Sequence, residues 1–184
     1  MATRQEKHFK NYQFEQVPRP SGKGYKNTYK YIGDYYTWNL PPEKLWRERQ
    51  CFVLVEVIFA ILYFGAAVQN IEPNKVAPVA VPSICSLAAW VFELIAIGFF
   101  SFAKLPLKEE DYKRVDSTFF LTFPIRFLLL AVAAVGCAVY TVRLSAGMPG
   151  WLLSLAYAVC AALSLHLMIR YRNLKKHKKV ILAE

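Results

Sequence analysis

The chain has 184 residues, of which 55% are hydrophobic and 15% aromatic, and its 23 Lys and Arg against 13 Asp and Glu give a net charge of +10. Its apolar residues are gathered into four nearly uncharged runs of 18 to 28 residues. This arrangement excludes an ordinary soluble domain, a fibrous repeat and a disordered chain. It predicts an all-α membrane protein, a bundle of four transmembrane helices.

The first 50 residues are basic and aromatic. Residues 17–26 contain two Pro and two Gly, which favours a loop. Residues 29–38 have strand-forming residues on both sides of Gly33-Asp34, and this pattern favours a short hairpin. Next, Pro42 near a helix start with Glu43 in the first turn predicts a helix from Pro42 to Gln50. This helix either lies on the membrane surface or begins the first span.

The four apolar runs are long enough to cross a bilayer. About 20 helical residues span a hydrocarbon core roughly 30 Å thick. We predict spans at residues 51–68, 76–103, 118–142 and 151–169, and their continuous apolar character distinguishes them from alternating barrel strands. The predicted organisation is a basic aromatic cytoplasmic or juxtamembrane segment (1–50), a four-helix transmembrane domain (51–169) and a basic cytoplasmic tail (170–184).

The basic residues predict the orientation. Ten Lys and Arg precede the first span, four lie between the second and third spans, and six follow the fourth. The two other connections hold one each, Lys75 and Arg143. Because cytoplasmic loops carry the excess of Lys and Arg, both termini are predicted to be cytoplasmic. We therefore expect an integral protein of the plasma (inner) membrane.

Three spans each contain one charged residue: Glu56 in the first, Glu93 in the second and Arg126 in the third. A charge at mid-bilayer costs on the order of 3 kcal/mol, so the presence of each of these charged residues calls for an explanation. All three are predicted to lie in the inner half of the bilayer, about 8 to 14 Å deep at 1.5 Å per residue. At similar depth they can form an intramembrane polar cluster, because the planar fork of Arg suits a carboxylate.

Three interpretations of these charges stay open. Arg126 and Glu56 could snorkel to the interface. The three residues could instead form a structural clasp, or a functional site for proton or cation coupling or for a charged span of a partner. Two acids against one base leave one glutamate without an obvious partner.

Basic and aromatic residues beside the spans suggest contact with anionic lipid headgroups. The predicted lipid-facing residues are Trp46, Arg47, Arg49, Arg170, Arg172, Lys175 and Lys176. Basic and aromatic residues also occur together in nucleic-acid-binding proteins. Here the charges lie next to membrane spans and no nucleic-acid-binding motif is present, so nucleic acid is not predicted as a partner. A protein docking site in the tail is the other interpretation.

Sequence patterns for catalysis are not found. The four Cys lie one in each span without a C-x-x-C pair, and His166 is the only His in a span. Phosphate-binding loops, nucleophile elbows and metalloprotease motifs are also missing. We therefore predict no enzymatic activity, no catalytic residue, no cofactor and no metal.

Two functions fit these observations. The first is a non-enzymatic accessory or scaffold subunit that joins a membrane-protein partner. The alternative is a small transporter or channel subunit that acts as a homo-oligomer and uses Glu56, Glu93 and Arg126. In its glutamate within the first of four helices, the chain is similar to the small multidrug-resistance exporters, which are much shorter and lack such an N-terminal segment. This similarity implies transport.

Overall fold

The computed structural model describes residues 11–18 and 24–182. Four long helices dominate it: α1 (Pro42–Ala67), α3 (Ala77–Phe102), α4 (Glu109–Arg143) and α5 (Gly147–Lys175), with the short α2 (Glu72–Lys75) between α1 and α3. Each long helix has the length and apolar composition to cross a membrane. This confirms a mostly helical chain with four candidate spans, as expected of an integral membrane protein.

The helices α1 and α4 begin well before their apolar runs. α1 starts at Pro42 and continues without a break, so residues 42–50 are the beginning of the first long helix. α4 starts at Glu109, with three acidic residues in its first turn that favour a helix N-terminus. Polar turns therefore extend these helices beyond the apolar residues at the end of the bundle where the β-strands lie. We call this the sheet end, and the opposite end, where α2 lies, the far end.

Five short strands form two sheets at the sheet end. β1 (Tyr12–Pro18) and β2 (Tyr25–Tyr31) are an antiparallel pair, which we call the hairpin. In the second sheet, β3 (Tyr35–Trp38) lies between β4 (Leu107–Lys108) and β5 (Lys178–Ile181) and is antiparallel to both. The N-terminal segment, the connection before α4 and the C-terminal tail thus share one sheet.

The predicted hairpin around Gly33-Asp34 is wrong. Strands do lie on both sides of these residues, but β2 pairs with β1, and β3 pairs with β4 and β5. Both edges of β3 are thereby occupied by strands from distant parts of the chain. The predicted loop at 17–26 is shorter than expected, because β1 continues to Pro18 and β2 begins at Tyr25. Its middle, residues 19–23, lies outside the described residues.

The helices pack as a square. α4 lies against α3 and α5, and α1 lies against α5 and α3, so α1 and α4 are across the diagonal. Near the sheet end, half of the buried core residues are aromatic, including Phe52, Phe100, Phe119 and Tyr171. Trp38 of β3 is buried and packs edge-on against Phe100, with ring centroids 5.3 Å apart. The sheet therefore closes the end of the helix bundle.

Candidate functional site

The centre of the bundle holds one buried guanidinium, that of Arg126 on α4. It contacts a polar group from each of the other three long helices. Its Nε donates to Ser164 Oγ of α5 at 2.8 Å. Its two terminal nitrogens reach Glu56 of α1, and Nη2 also lies 2.9 Å from Glu93 Oε1 of α3. One side chain thus connects four helices, and we call these groups the central cluster.

Glu56 is the main partner of the guanidinium. Arg126 Nη1 donates to Glu56 Oε2 at 3.0 Å and Nη2 donates to Glu56 Oε1 at 2.9 Å, a parallel two-bond pairing. The indole Nε1 of Trp90 also donates to Glu56 Oε2. With three hydrogen bonds from the side chains of Arg126 and Trp90, this carboxylate is well satisfied inside the bundle.

Glu93 is held differently. It is completely buried, and its Oε1 lies 2.9 Å from Arg126 Nη2. Neither of its carboxyl oxygens has a hydrogen bond of normal geometry within the described chain. Arg126 and Glu93 are therefore in close contact without a directed hydrogen bond. The Glu56 carboxylate is the other close titratable neighbour of Glu93.

The central cluster is shielded from the surroundings of the bundle. Arg126 and Glu93 are 0% exposed and Glu56 is 4% exposed. The guanidinium carbon lies 4.2 Å from the centre of the Phe59 ring, within range for a cation–π contact. In such a low-dielectric interior, charges attract more strongly but lose their hydration. These positions contradict the snorkelling interpretation of Arg126 and Glu56.

The structure thus brings together the three charges singled out in the sequence and adds Trp90, Ser164 and Phe59. A signal for Trp90 exists in the sequence, since it precedes Glu93 by three residues and so shares its helix face. Ser164 has no comparable signal, because Ser is common in membrane helices and also bonds to its own helix, as here to the Cys160 carbonyl at 3.1 Å.

A second polar group of residues lies toward the far end and was not predicted. Tyr63 Oη of α1 donates to the Ser83 carbonyl of α3 at 2.7 Å. Ser83 Oγ lies 3.3 Å from Tyr157 Oη of α5, which donates to Asn74 Oδ1 of α2 at 2.8 Å. Tyr63 and Tyr157 are each seven residues from the level of the central cluster, about 10 Å along the helices. We call these four residues the tyrosine layer.

The predicted lipid-facing residues occupy different environments. Trp46, Arg47 and Arg172 are exposed, whereas Arg49 is half-buried with its guanidinium 5.7 Å from the Phe100 ring. Three others bond within the chain: Arg170 to Glu48 at 3.1 Å, Lys175 to Asp116 at 2.8 Å and Lys176 to Asn173 at 3.2 Å. Contact with lipid stays a prediction for all seven.

The hairpin has one aromatic face. Its register places Tyr12 opposite Tyr31, Phe14 opposite Tyr29 and Pro18 opposite Tyr25. Because side chains alternate along a strand, these residues lie on the same face, and Gln13, Glu15 and Lys30 lie on the other. Phe14, Tyr25 and Tyr29 are 50%, 66% and 59% exposed. Three aromatic rings of this face are therefore at least half exposed.

The base of the hairpin is fastened to the start of α4. Tyr31 Oη accepts a hydrogen bond from the Glu109 amide and donates to the Asp34 carbonyl, both at 3.0 Å. Asn11 Nδ2 donates to Glu109 Oε2 at 3.2 Å. Lys108 Nζ lies 5.2 and 5.3 Å from the centres of the Tyr12 and Tyr31 rings, and its hydrogen bond to Tyr12 raises the pKa of Lys108. The aromatic face is thus held in a defined place.

Within the residues that the structure describes, no group of three or more His, Cys, Asp and Glu side chains is arranged to hold a metal ion. All four Cys are free thiols. A scan of family models, a search of curated proteins and a search of solved structures each find nothing that matches this chain.

Proposed function

We propose that this protein is a non-enzymatic accessory or scaffold subunit of a membrane complex, which presents its hairpin to a larger membrane-protein partner. The observation that carries the proposal is the exposed aromatic face of the hairpin, on a base fixed to α4. By contrast, the charged side chains at the centre of the bundle are buried and contact one another.

The orientation of the chain is part of this proposal. We place the sheet end in the cytoplasm of a cell with a plasma (inner) membrane. Of the 23 Lys and Arg, 20 belong to residues 1–50, 104–117 and 170–184, whose described parts lie at the sheet end, whereas Lys75 and Arg143 lie at the far end. This asymmetry follows the positive-inside rule. The hairpin would then face cytoplasmic parts of a partner.

The hairpin supports docking of a protein because a two-stranded sheet is marginally stable by itself. Three exposed aromatic rings provide apolar area of the kind enriched at protein interfaces. Lys30 on the opposite face and Glu15 beside it remain exposed. A partner that covers the aromatic face would stabilise the hairpin and gain affinity from the same burial.

The closed bundle centre supports the accessory role over transport. Five surface cavities of about 270 to 500 Å³ lie along the described part of the chain, and none is lined by Glu56, Glu93 or Arg126. The largest of them lies between α4 and α5 and has mostly apolar walls. The central cluster therefore supports a role as a clasp that fixes helix packing.

Native mass spectrometry of the tagged protein, extracted gently from its own membrane, tests this proposal. We expect a stable complex with a different, larger membrane protein. A photo-cross-linking residue in place of Phe14 should react with that same partner, whereas one in place of Gln13, on the opposite face, should not. A homo-oligomer without another protein, or adducts with lipid alone, would reject the accessory role.

A second candidate function is transport by a homo-oligomer. Two observations favour it: the carboxyl group of Glu93 lacks directed hydrogen bonds, and the tyrosine layer continues the polar interior toward the far end. Under this alternative, Glu93→Gln abolishes pH-dependent transport in vesicles and leaves assembly intact. Under the accessory role, the same substitution has little effect, and deletion of residues 1–40 has a larger one.

A further inference from the structure

We infer that the central cluster binds one proton at neutral pH and that the Glu93 carboxyl group carries it. This inference does not depend on the accessory role or on the transport alternative. It concerns a proton-binding site within the bundle, formed by groups from α1, α3 and α4.

The charges of the cluster do not balance without this proton. Two carboxylates, Glu56 and Glu93, share the single positive charge of Arg126, and all three side chains are almost completely buried. In the described chain no other Lys, Arg or His forms an ion pair with either glutamate. The remaining titratable neighbour is the Cys160 thiol of α5, which adds no positive charge. One uncompensated negative charge would therefore stay in an apolar interior.

An isolated buried carboxylate is far less stable than its protonated form, because burial removes the hydration of the charge. Two adjacent carboxylates also repel each other, which favours protonation of one of them. Both effects act on the same pair here. Neutralisation of one glutamate leaves a single ion pair with no net charge.

The hydrogen bonds indicate which glutamate is neutral. Glu56 accepts two bonds from Arg126 and one from Trp90, an environment that stabilises an ionised carboxylate. Glu93 accepts no directed bond, although Arg126 Nη2 is 2.9 Å from its Oε1. A neutral carboxyl group loses less from this arrangement than an ionised one. The proton therefore belongs to Glu93.

A bound sodium ion explains the charge balance of the central cluster less well than a bound proton. Hard cations need several oxygen ligands, and the oxygens of Glu56, the acidic neighbour of Glu93, already accept three hydrogen bonds. The guanidinium also lies against Glu93 and would repel a second cation. A cationic side chain of a partner is excluded from this position by the complete burial of Glu93.

Infrared spectroscopy of the full-length protein in lipid vesicles tests the inference directly. The C=O stretch of a protonated carboxylic acid lies above the amide bands and shifts in heavy water. We expect one such band at neutral pH, both in sodium-containing and in sodium-free buffer. Glu93→Gln should remove the band, and Glu93→Asp should keep it at a shifted position, since Asp retains a carboxylic acid. Glu43→Gln, an exposed control at the start of α1, should leave it unchanged.

Glu56→Gln provides a further test of the proton's location. Without the Glu56 carboxylate, Glu93 becomes the counterion of Arg126, so the band should disappear although Glu93 is present. A wild-type spectrum without the band in sodium-free buffer would overturn the inference. A band that appears only after sodium is removed would show that sodium occupies the site under ordinary conditions, and would also overturn it. The wild-type spectrum decides the question even if a variant fails to fold.

Discussion

Arg126 and Glu56 pair through two parallel hydrogen bonds across the diagonal of the bundle, at 3.0 and 2.9 Å. Their helices, α4 and α1, have few direct backbone contacts, so this pair is a main connection between them. The pair is also the reason that the first and third apolar spans can each tolerate a buried charge, because the burial of each charge is offset by the other.

Removal of Arg126 should be strongly destabilising. Arg126→Met leaves the Glu56 carboxylate buried without a cation, and loss of one partner of a buried ion pair typically costs about 3–5 kcal/mol. The exposed Arg143→Met should change the free energy of unfolding by less than about 1 kcal/mol. Equilibrium unfolding in mixed micelles measures the free energy of unfolding of both variants. A double variant, Arg126→Met with Glu56→Gln, should recover part of the loss, and equal losses in the single and double variants would contradict this pairing.

The two glutamates should differ when each is replaced by glutamine. Glu56→Gln weakens hydrogen bonds from a charged donor, and we expect a loss of about 2 kcal/mol. Glu93→Gln resembles a protonated Glu93, so its unfolding free energy should stay within about 1 kcal/mol of wild type. The same unfolding assay compares them. Equal losses for both variants would mean that the two carboxylates are equivalent.

Gly33 should be required for the attachment of the hairpin. A Cβ atom at this position would lie 2.6 Å from Tyr31 Oη and 2.9 Å from Asn11 Cγ, so Gly33→Ala must displace the ring that bonds to Glu109. Overpacking of this kind costs about 1–3 kcal/mol. Hydrogen exchange should become faster in β1 and β2 and stay unchanged in α3. Gly65→Ala is the control, since its added methyl group meets nothing within 4 Å.

Gly150 should be required for close packing of α4 and α5. An added Cβ atom would collide with the side chain of Thr141, whose Oγ1 bonds to the Cys137 carbonyl at 2.8 Å. We expect Gly150→Ala to lower the free energy of unfolding by about 1–3 kcal/mol. Addition of Thr141→Ala should restore part of the lost free energy of unfolding, because the smaller side chain leaves space for the methyl group at position 150. Gly98→Ala, with nothing within 4 Å, should be harmless.

The hairpin should detach at alkaline pH. Burial raises the pKa of Tyr31, whose hydroxyl both accepts from and donates to the backbone. A group with a raised pKa in the folded state stabilises the fold below its unfolded pKa, about 10 for Tyr, and loses this contribution as the pH rises through the folded pKa. Distances between spin labels at Gln13 and Lys104 should therefore broaden above about pH 10. In Tyr31→Phe this alkaline transition should be absent.

The sequence by itself determined the four long helices and identified the three charged residues of the central cluster. An apolar run of this length has one stable form in a bilayer, because its backbone groups must bond within the helix. Glu56, Glu93 and Arg126 could be identified for the same reason, since a charge in such a run is costly. The polar extensions at Pro42 and Glu109 were harder to delimit, because their residues suit both a surface helix and the first turns of a span.

Only the tertiary structure decided how these parts combine. The pairing of β3 with β4 and β5 joins strands far apart in the chain, and the local pattern around Gly33-Asp34 favoured a different hairpin. In the central cluster, the bonds of Trp90 to Glu56 and of Arg126 to Ser164 cross between helices. The tyrosine layer has no charge to mark it. Strand partners and buried hydrogen bonds depend on which elements become neighbours, and this is settled by packing across the whole bundle rather than by local sequence.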